Sequence, residues 1–327
     1  MPKLRYDFAR ESFSASSSEV IHQANEIVAE YQAAGFALTL RQVYYQFVTR
    51  GHVENSNRNY KRLGSILNDA RMAGLIDWDA IEDRTRILRA LAHWDSPQQI
   101  VEAIARQYRT ERWKRQPAYV EVWIEKDALT GVIQPVCDEF DVPYFAVRGY
   151  NSQSEAWRAG RRLLERIRDK RCVILHLGDH DPSGIDMSRD NEERFIRFLA
   201  VDLMREHGYE RDEALDWVRD HFELRRLALN FDQIEQYDPP PNPAKVTDSR
   251  SAAYIAEYGR SSWELDALEP TVIDRLIRDA IDGILDHRRW EIATGAMELE
   301  RRTLISVADH WIDVAAFAGG LNGHRSS

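Results

Sequence analysis

The sequence predicts a mixed α/β protein in which an N-terminal helical domain precedes a parallel-sheet domain and a set of C-terminal helices. Three observations carry that reading. Apolar residues recur at i, i+3 and i+4 between residues 17 and 73, the period of helices with one buried face. From Ala118 the pattern changes to short apolar runs alternating with helical segments, the order of a parallel sheet joined by crossover helices. Beyond the rigid Pro239-Pro-Pro-Asn-Pro243 segment the spacing is helical again. A chain of 327 residues suits about two domains of ordinary size. Residues 1–16 read as a flexible arm, 17–95 as the first domain, 96–117 as a linker helix, 118–235 as the sheet domain and 236–327 as a helical extension.

Taken in order, Ser17 and Ser18 precede Val20, Ile21, Ala24, Ile27, Val28 and Tyr31, an amphipathic helix that Gly35 ends. Thr39 is placed to cap a second helix, Leu40 to Arg50, stopped by Gly51. Leu40, Val43, Tyr44, Phe47 and Val48 form its apolar stripe, while Arg41 and Tyr45 lie one turn apart on a different face. A third helix over 56–73 turns Leu63, Ile66, Leu67 and Ala70 inward and leaves Arg58, Lys61, Arg62 and Arg71 to solvent. Leu75–Ile81 and Glu82–Arg86 read as a short β-ribbon. Three helices and a ribbon form a winged helix, whose third helix commonly enters a DNA groove; a basic helix is also what an ordinary solvated face looks like. A linking helix follows over 96–116.

In the second half, strands are expected at Tyr119–Ile124, Val142–Val147, Cys172–Leu177 and Phe222–Leu229. Helices are expected at Ala128–Phe140, Ser154–Arg168 and residues 185–207. Ala252–Tyr258, Thr271–Ile292 and Glu298–Phe317 complete the helical extension, and Gly319–Ser327 reads as a frayed tail.

Composition narrows the function classes. No apolar run approaches the roughly 18 residues of a membrane span, and the N-terminus lacks the apolar core of a secretory signal. The two cysteines, Cys137 and Cys172, sit in apolar settings and read as buried free thiols of a cytoplasmic protein. The net charge of −10 speaks against a nucleic-acid partner, but residues 41–115 carry fourteen Lys/Arg against nine Asp/Glu. A basic segment inside an acidic chain is compatible with a localised phosphate-binding face.

The chemistry centres on Leu175-His-Leu-Gly-Asp-His-Asp-Pro-Ser-Gly184, where an apolar run stops at Asp179 and Asp181. Ligands of open α/β sheets bind beyond the carboxyl ends of the strands. Two carboxylates one residue apart can hold a hard divalent cation there. Alternatively, Asp181 or Ser183 simply caps the next helix. Glu125, at the end of a preceding strand, brings a third carboxylate to the same edge and favours the cation.

Together these motifs resemble a known family. Glu125 in Trp123-Ile-Glu-Lys-Asp-Ala128, with Asp179-His-Asp-Pro-Ser-Gly184 downstream, resembles a Toprim domain, the metal-binding module of topoisomerases, primases and some nucleases. Leu40-Arg-Gln-Val-Tyr-Tyr-Gln46 resembles the tyrosine motif of the winged-helix domain in the topoisomerase VI A subunit and its relative, the meiotic double-strand-break protein. The resemblance covers residues 20–200 and is most like the small stand-alone A-subunit relatives. It implies Tyr45 as nucleophile, Arg41 as its partner, and Glu125, Asp179 and Asp181 as Mg²⁺ ligands, with Glu125 counted among the catalytic residues. Lys126 also matches the pattern, whereas His180 departs from it.

The expected activity is that of a type IIB topoisomerase A subunit. Tyr45 attacks a DNA phosphodiester with Mg²⁺ assistance, leaving a covalent protein–DNA link and, in a homodimer, a double-strand break. The resemblance pairs one subunit's tyrosine with the other subunit's metal. A phenol with a pKa near 10 needs help to ionise, which Arg41 is placed to give. Arg58, Lys61, Arg62 and Arg71 are the expected phosphate contacts on double-stranded DNA. The chain contains no P-loop, so ATP-driven strand passage requires a separate ATPase subunit. The expected location is the cytoplasm, in association with the nucleoid. The alternatives are a Toprim endonuclease using metal-activated water and a non-catalytic DNA-binding subunit.

Overall fold

Ser14 caps the first helix by accepting a hydrogen bond from the Ser17 N–H, and each following helix of the N-terminal region is started in the same way. The computed structural model describes residues 12–82, 91–146, 153–244 and 250–323. Helix α1 spans Ala15–Ala33. Thr39 and Gln42 form a reciprocal capping box at the start of α2, Leu40–Thr49, and Ser56 caps α3, Asn57–Met72. Ile21, Ala24, Ile27, Val28 and Tyr31 of α1, Val43, Tyr44, Tyr45 and Phe47 of α2, and Leu63, Leu67 and Ala70 of α3 share one core.

The expected ribbon is not formed over its first half. Trp78–Ala80 makes a 3-10 turn, and Ile81 forms a single parallel bridge with Leu38. The reason is local: Asp77 accepts from the Asp79 N–H and bends the chain, and Arg71 donates to the carbonyls of Trp78 and Ile81. Residues 83–86, expected in the second half, lie outside the described residues.

Helix α4 spans Pro97–Gln107, shorter than the linking helix expected through residue 116: residues 108–111 are non-helical and a 3-10 turn follows at Arg112–Arg115. The sheet domain then runs β1 Ala118–Ile124, α5 Thr130–Glu139, β2 Tyr144–Ala146, α6 Gln153–Ile167, β3 Arg171–Leu177, α7 Pro182–His207, α8 Arg211–His221 and β4 Phe222–Ala228. Helix α8 and the next short helix, α9 at Phe231–Tyr237, were not anticipated. A two-residue ladder joins β5, Asn242–Pro243, to β6, Ser261–Ser262, with α10, Ser251–Tyr258, between them. The last three helices are α11 Pro270–Asp282, α12 His287–Asp309 and α13 Trp311–Gly323. Their boundaries differ from the two expected helices because Asp286 caps a new helix where one was expected to continue. The chain is also still helical at Gly319–Gly323, where a frayed tail was expected.

Four parallel strands in the order β2-β1-β3-β4 make the sheet, as expected of an α/β protein with crossover helices. Because β2 and β3 flank β1, the chain leaves β1 in one direction and later returns across it. The gap between the ends of β1 and β3 is therefore a topological switch point. Trp123, Leu163, Ile167, Ile174, Phe195, Leu199 and Phe222 lead the core that α6, α7 and α8 build on one face. Cys137 and Cys172 are buried free thiols. Among the described residues no helix is long and apolar enough to cross a membrane.

The chain divides into two compact units, Met1–Arg86 with Ala118–Ile284, and Ile87–Pro117 with Leu285–Ser327. In the second, α12 packs along α4, Arg112 lies 4.0 Å from the Trp290 ring centre, and the Gln116 amide bonds both backbone groups of Asp286.

Inside the sheet core, Glu121 is 1% exposed on an otherwise apolar strand. A buried carboxylate has to be paired. Arg162 meets it twice, at 2.7 and 2.9 Å, and Tyr119 and Trp123 each donate at 2.8 Å. Arg162→Ala removes the only countercharge among these groups and is expected to lower the unfolding free energy by about 2–3 kcal/mol, less than a fully buried pair because the arginine is partly solvated. A urea midpoint unchanged at constant slope would contradict this.

Candidate active site

Strands β1 and β3 end in register, with Ile124 opposite Leu177, so the residues that follow them are neighbours by construction. The Glu125 N–H donates to the Leu177 carbonyl at 2.9 Å, and the Glu125 carboxylate accepts from the Asp179 N–H at 2.9 Å. Gly178 and Gly184 make this approach possible. A Cβ at Gly178 would lie 2.9 Å from Glu125 Oε2, and one at Gly184 would lie 2.2 Å from the Asp179 carbonyl oxygen. Asp181 caps α7, accepting from the Gly184 N–H at 2.7 Å and from Ser183 Oγ at 2.8 Å. The capping reading of Asp181 thus describes its hydrogen bonds, while Glu125 and Asp179 do come together at the sheet edge.

Arg226, in β4, supports this loop from below and was not picked out in the sequence. It donates to the carbonyls of Gly178, Asp179, Gly184 and Leu229 and to Ser188 Oγ, at 2.6–3.2 Å. The available signal was a pair of arginines in the middle of an apolar strand. Ser188 also meets the buried His176 ring at 2.9 Å. Burial and the Arg226 charge push His176 down to about 3, so it is neutral. His180 is turned into a box of Phe231, Tyr254, Tyr258 and Trp263 rings, with Nδ1 2.8 Å from Tyr254 Oη. Burial and Arg226 hold it at about 4.

On α2, Tyr44 and Tyr45 play different parts. Tyr44 Oη accepts from the Ser56 N–H at 2.6 Å and lies 3.1 Å from Asn55 Oδ1, which fixes the start of α3. Tyr45 Oη accepts from Arg41 at 3.4 Å, the one-turn relation expected of these two residues. Their face is not open: Tyr45 is 3% exposed, because residues 263–268 pack over it and Ala267 enters the helical core. Burial and the charges of Asp266 and Glu264 raise the Tyr45 phenol to about 12, more than Arg41 lowers it. Arg41 does favour the phenolate, as expected, but burial and the two carboxylates outweigh it.

Glu264 and Asp266 also escaped the sequence reading, and they join the two halves of the site. Arg41 pairs with Glu264 and lies 3.0 Å from Asp266 Oδ2. Lys126, next to Glu125, contacts Glu264 at 2.8 Å, Asp266 at 3.0 Å and Asp179 at 3.0 Å. Burial opposes the Lys126 charge, but Asp266, Asp179 and Glu264 overcome it and raise its pKa. Burial opposes the Glu264 charge too, and Lys126 and Arg41 outweigh it, holding Glu264 at about 2. The Leu265 N–H donates to Asp179 Oδ1 at 2.8 Å, and Trp263 exchanges two backbone hydrogen bonds with His180. The signal was Trp263-Glu-Leu-Asp-Ala-Leu268, whose apolar and acidic residues alternate with the period of an extended segment.

Of the expected phosphate contacts, Arg58, Lys61 and Arg62 are exposed on α3. Arg71, in the last turn of α3, is half-buried against the 3-10 turn, where it donates to the Trp78 and Ile81 carbonyls and lies over the Trp78 ring, with its pKa lowered by burial; it is a structural clamp.

Among the described residues no group of three or more His, Cys, Asp or Glu side chains is arranged to hold a metal ion. The donor chemistry at Glu125 and Asp179 still suits a hard cation, which takes oxygen ligands and often only one or two carboxylates. Burial and then the Asp181 charge raise Glu125, while burial and then the Glu125 charge raise Asp179 to about 6. No family model matches the chain, and no curated protein matches it significantly.

A carboxyl raised in the fold stabilises it below the ordinary carboxylate range and loses that contribution as pH climbs through the raised value. For Asp179 the window is pH 4 to about 6. Asp179→Asn is therefore expected to gain stability relative to the parent across that window, by up to about 3 kcal/mol for a shift of this size. Unfolding in chelator at several pH values measures it, and a pH-independent difference would contradict the assignment.

Proposed function

We propose that the chain cleaves DNA by transesterification, in the manner of a type IIB topoisomerase A subunit, with Tyr45 as nucleophile. The observation that carries this reading is the convergence of Arg41, from the tyrosine helix, and Lys126, from the carboxylate edge, on one oxygen of Glu264. The helix that carries Tyr45 and the carboxylate edge are thereby linked through shared ion pairs, which supports the reading. The arrangement supports a winged-helix-like module joined to a Toprim-like sheet.

In this reading the Tyr45 oxygen forms a bond to phosphorus as the bond to the 3′ oxygen breaks. The phenol proton ends on the released hydroxyl, so the products are a phosphotyrosyl link and a free 3′ end. Glu125 and Asp179 would hold Mg²⁺, with Asp181 fixing the loop; the ion would supply charge stabilisation at the leaving oxygen. Arg41 binds a phosphate oxygen and orients the phenol. Arg58, Lys61 and Arg62 hold the duplex in place by its backbone. A double-strand break requires two such sites, hence a homodimer, and strand passage driven by ATP requires a separate ATPase polypeptide.

A second reading is favoured by the burial of Tyr45: a nuclease in which metal-activated water attacks and no covalent link forms. The two separate on one gel. Incubation with supercoiled DNA and Mg²⁺ is expected to give protein-linked ends that enter the gel only after protease, and Tyr45→Phe is expected to abolish them. Adduct formation by Tyr45→Phe, or cleavage with protein-free ends, would exclude transesterification by Tyr45.

A further inference from the structure

Glu264 occupies a position built for an anion. Its Oε2 receives Arg41 Nη2 and Lys126 Nζ, the latter at 2.8 Å, and its Oε1 receives Asn242 Nδ2 at 3.4 Å. The three donors come from α2, the end of β1 and β5. Asn242 is itself held by Asn55, whose Nδ2 donates to Asn242 Oδ1 at 2.9 Å. Asp266, 2% exposed, lies behind the two cations and contacts both. Tyr45 Oη lies 3.4 Å from the same Arg41 nitrogen that meets Glu264.

The two carboxylates therefore have different roles. Asp266 is the buried countercharge that keeps Arg41 and Lys126 in place. Glu264 is a quarter exposed and fills the space in front of them. An oxyanion bound there in place of Glu264 would meet two charge-assisted donors and an amide, with the Tyr45 phenol alongside. Charge-assisted donors of this kind are what recognise phosphate oxygens.

We infer that Arg41, Lys126 and Asn242 form a phosphate-binding cradle beside Tyr45, which Glu264 fills as an internal stand-in for a backbone phosphate and vacates when nucleic acid binds. The identity of the anion as a DNA phosphate rests on the cleavage reading above; the cradle itself does not.

The test is binding of a labelled DNA duplex to the full chain in chelator, where no cleavage occurs, followed by anisotropy over a range of salt. Glu264→Gln is expected to bind about tenfold more tightly, with a salt dependence steeper by about one to two released ions. Glu235→Gln, which removes an exposed charge elsewhere, controls for net charge and is expected to change binding less than twofold. The gain is expected to disappear in Glu264→Gln/Lys126→Gln. A parallel arm measures the thermal shift of Glu264→Gln with inorganic phosphate. A duplex gain that needs Lys126 upholds the cradle as a site for backbone phosphate. A phosphate shift with no duplex gain upholds the cradle but assigns it to free phosphate. A folded Glu264→Gln that shows neither, or a gain that survives loss of Lys126, overturns the proposal. Because cleavage is not read, absence of a covalent adduct would sink the transesterase reading and leave this one standing.

Discussion

Asp266 is almost completely buried between an arginine and a lysine that come from different parts of the chain. A carboxylate in that position is tolerated only with countercharges at contact distance, and removal of either partner would strand a charge in a poorly solvated place. The segment that carries it is thereby pinned. Leu265 N–H then reaches Asp179, Trp263 pairs with His180, and Ala267 completes the core of the N-terminal helices. Much of the site's geometry depends on this one ionic contact, because the tyrosine helix and the carboxylate loop both touch residues 263–268.

The pairing also explains why the site is closed. Arg41 is the group placed to assist Tyr45, yet it is engaged with Glu264 and Asp266, and those same carboxylates oppose ionisation of the phenol. On the other side Lys126 neutralises Asp179 in the place where a divalent cation would do so. In the proposed reading, reaction at Tyr45 calls for an exchange of partners in which a substrate phosphate takes the cations from Glu264.

Local patterns were legible in the sequence wherever a single element decides the outcome. The cap of α2 and the start of α3, the strands around Cys172–Leu177 and Tyr119–Ile124, and the meeting of Glu125 with Asp179 all follow from period, turn residues and strand order, whereas α1 starts earlier than expected, capped by Ser14 within the segment read as a flexible arm. The pairing of Arg41 with Tyr45 followed from helical spacing. What escaped depends on contacts between distant segments. Glu264 and Asp266 lie more than two hundred residues from Arg41 and follow a proline-rich stretch, so nothing local announces their partners. Arg226 reads as a solvated strand residue until the loop above it is seen to present four carbonyls. The ribbon failed at Leu75–Ile81 for a related reason, since Arg71 gathers backbone carbonyls that a ladder would have used. Arg71 consequently looked available for phosphate and is not.

The central claim is that Arg41 and Asp266 hold the tyrosine helix against the segment that reaches the carboxylate edge. A double-mutant cycle with Arg41→Gln and Asp266→Asn, measured by chemical denaturation at neutral pH, tests it most directly. A coupling energy of about 1 kcal/mol is expected for a buried carboxylate in contact with a half-exposed guanidinium. Additive single effects, with no coupling between the two positions, would contradict the account.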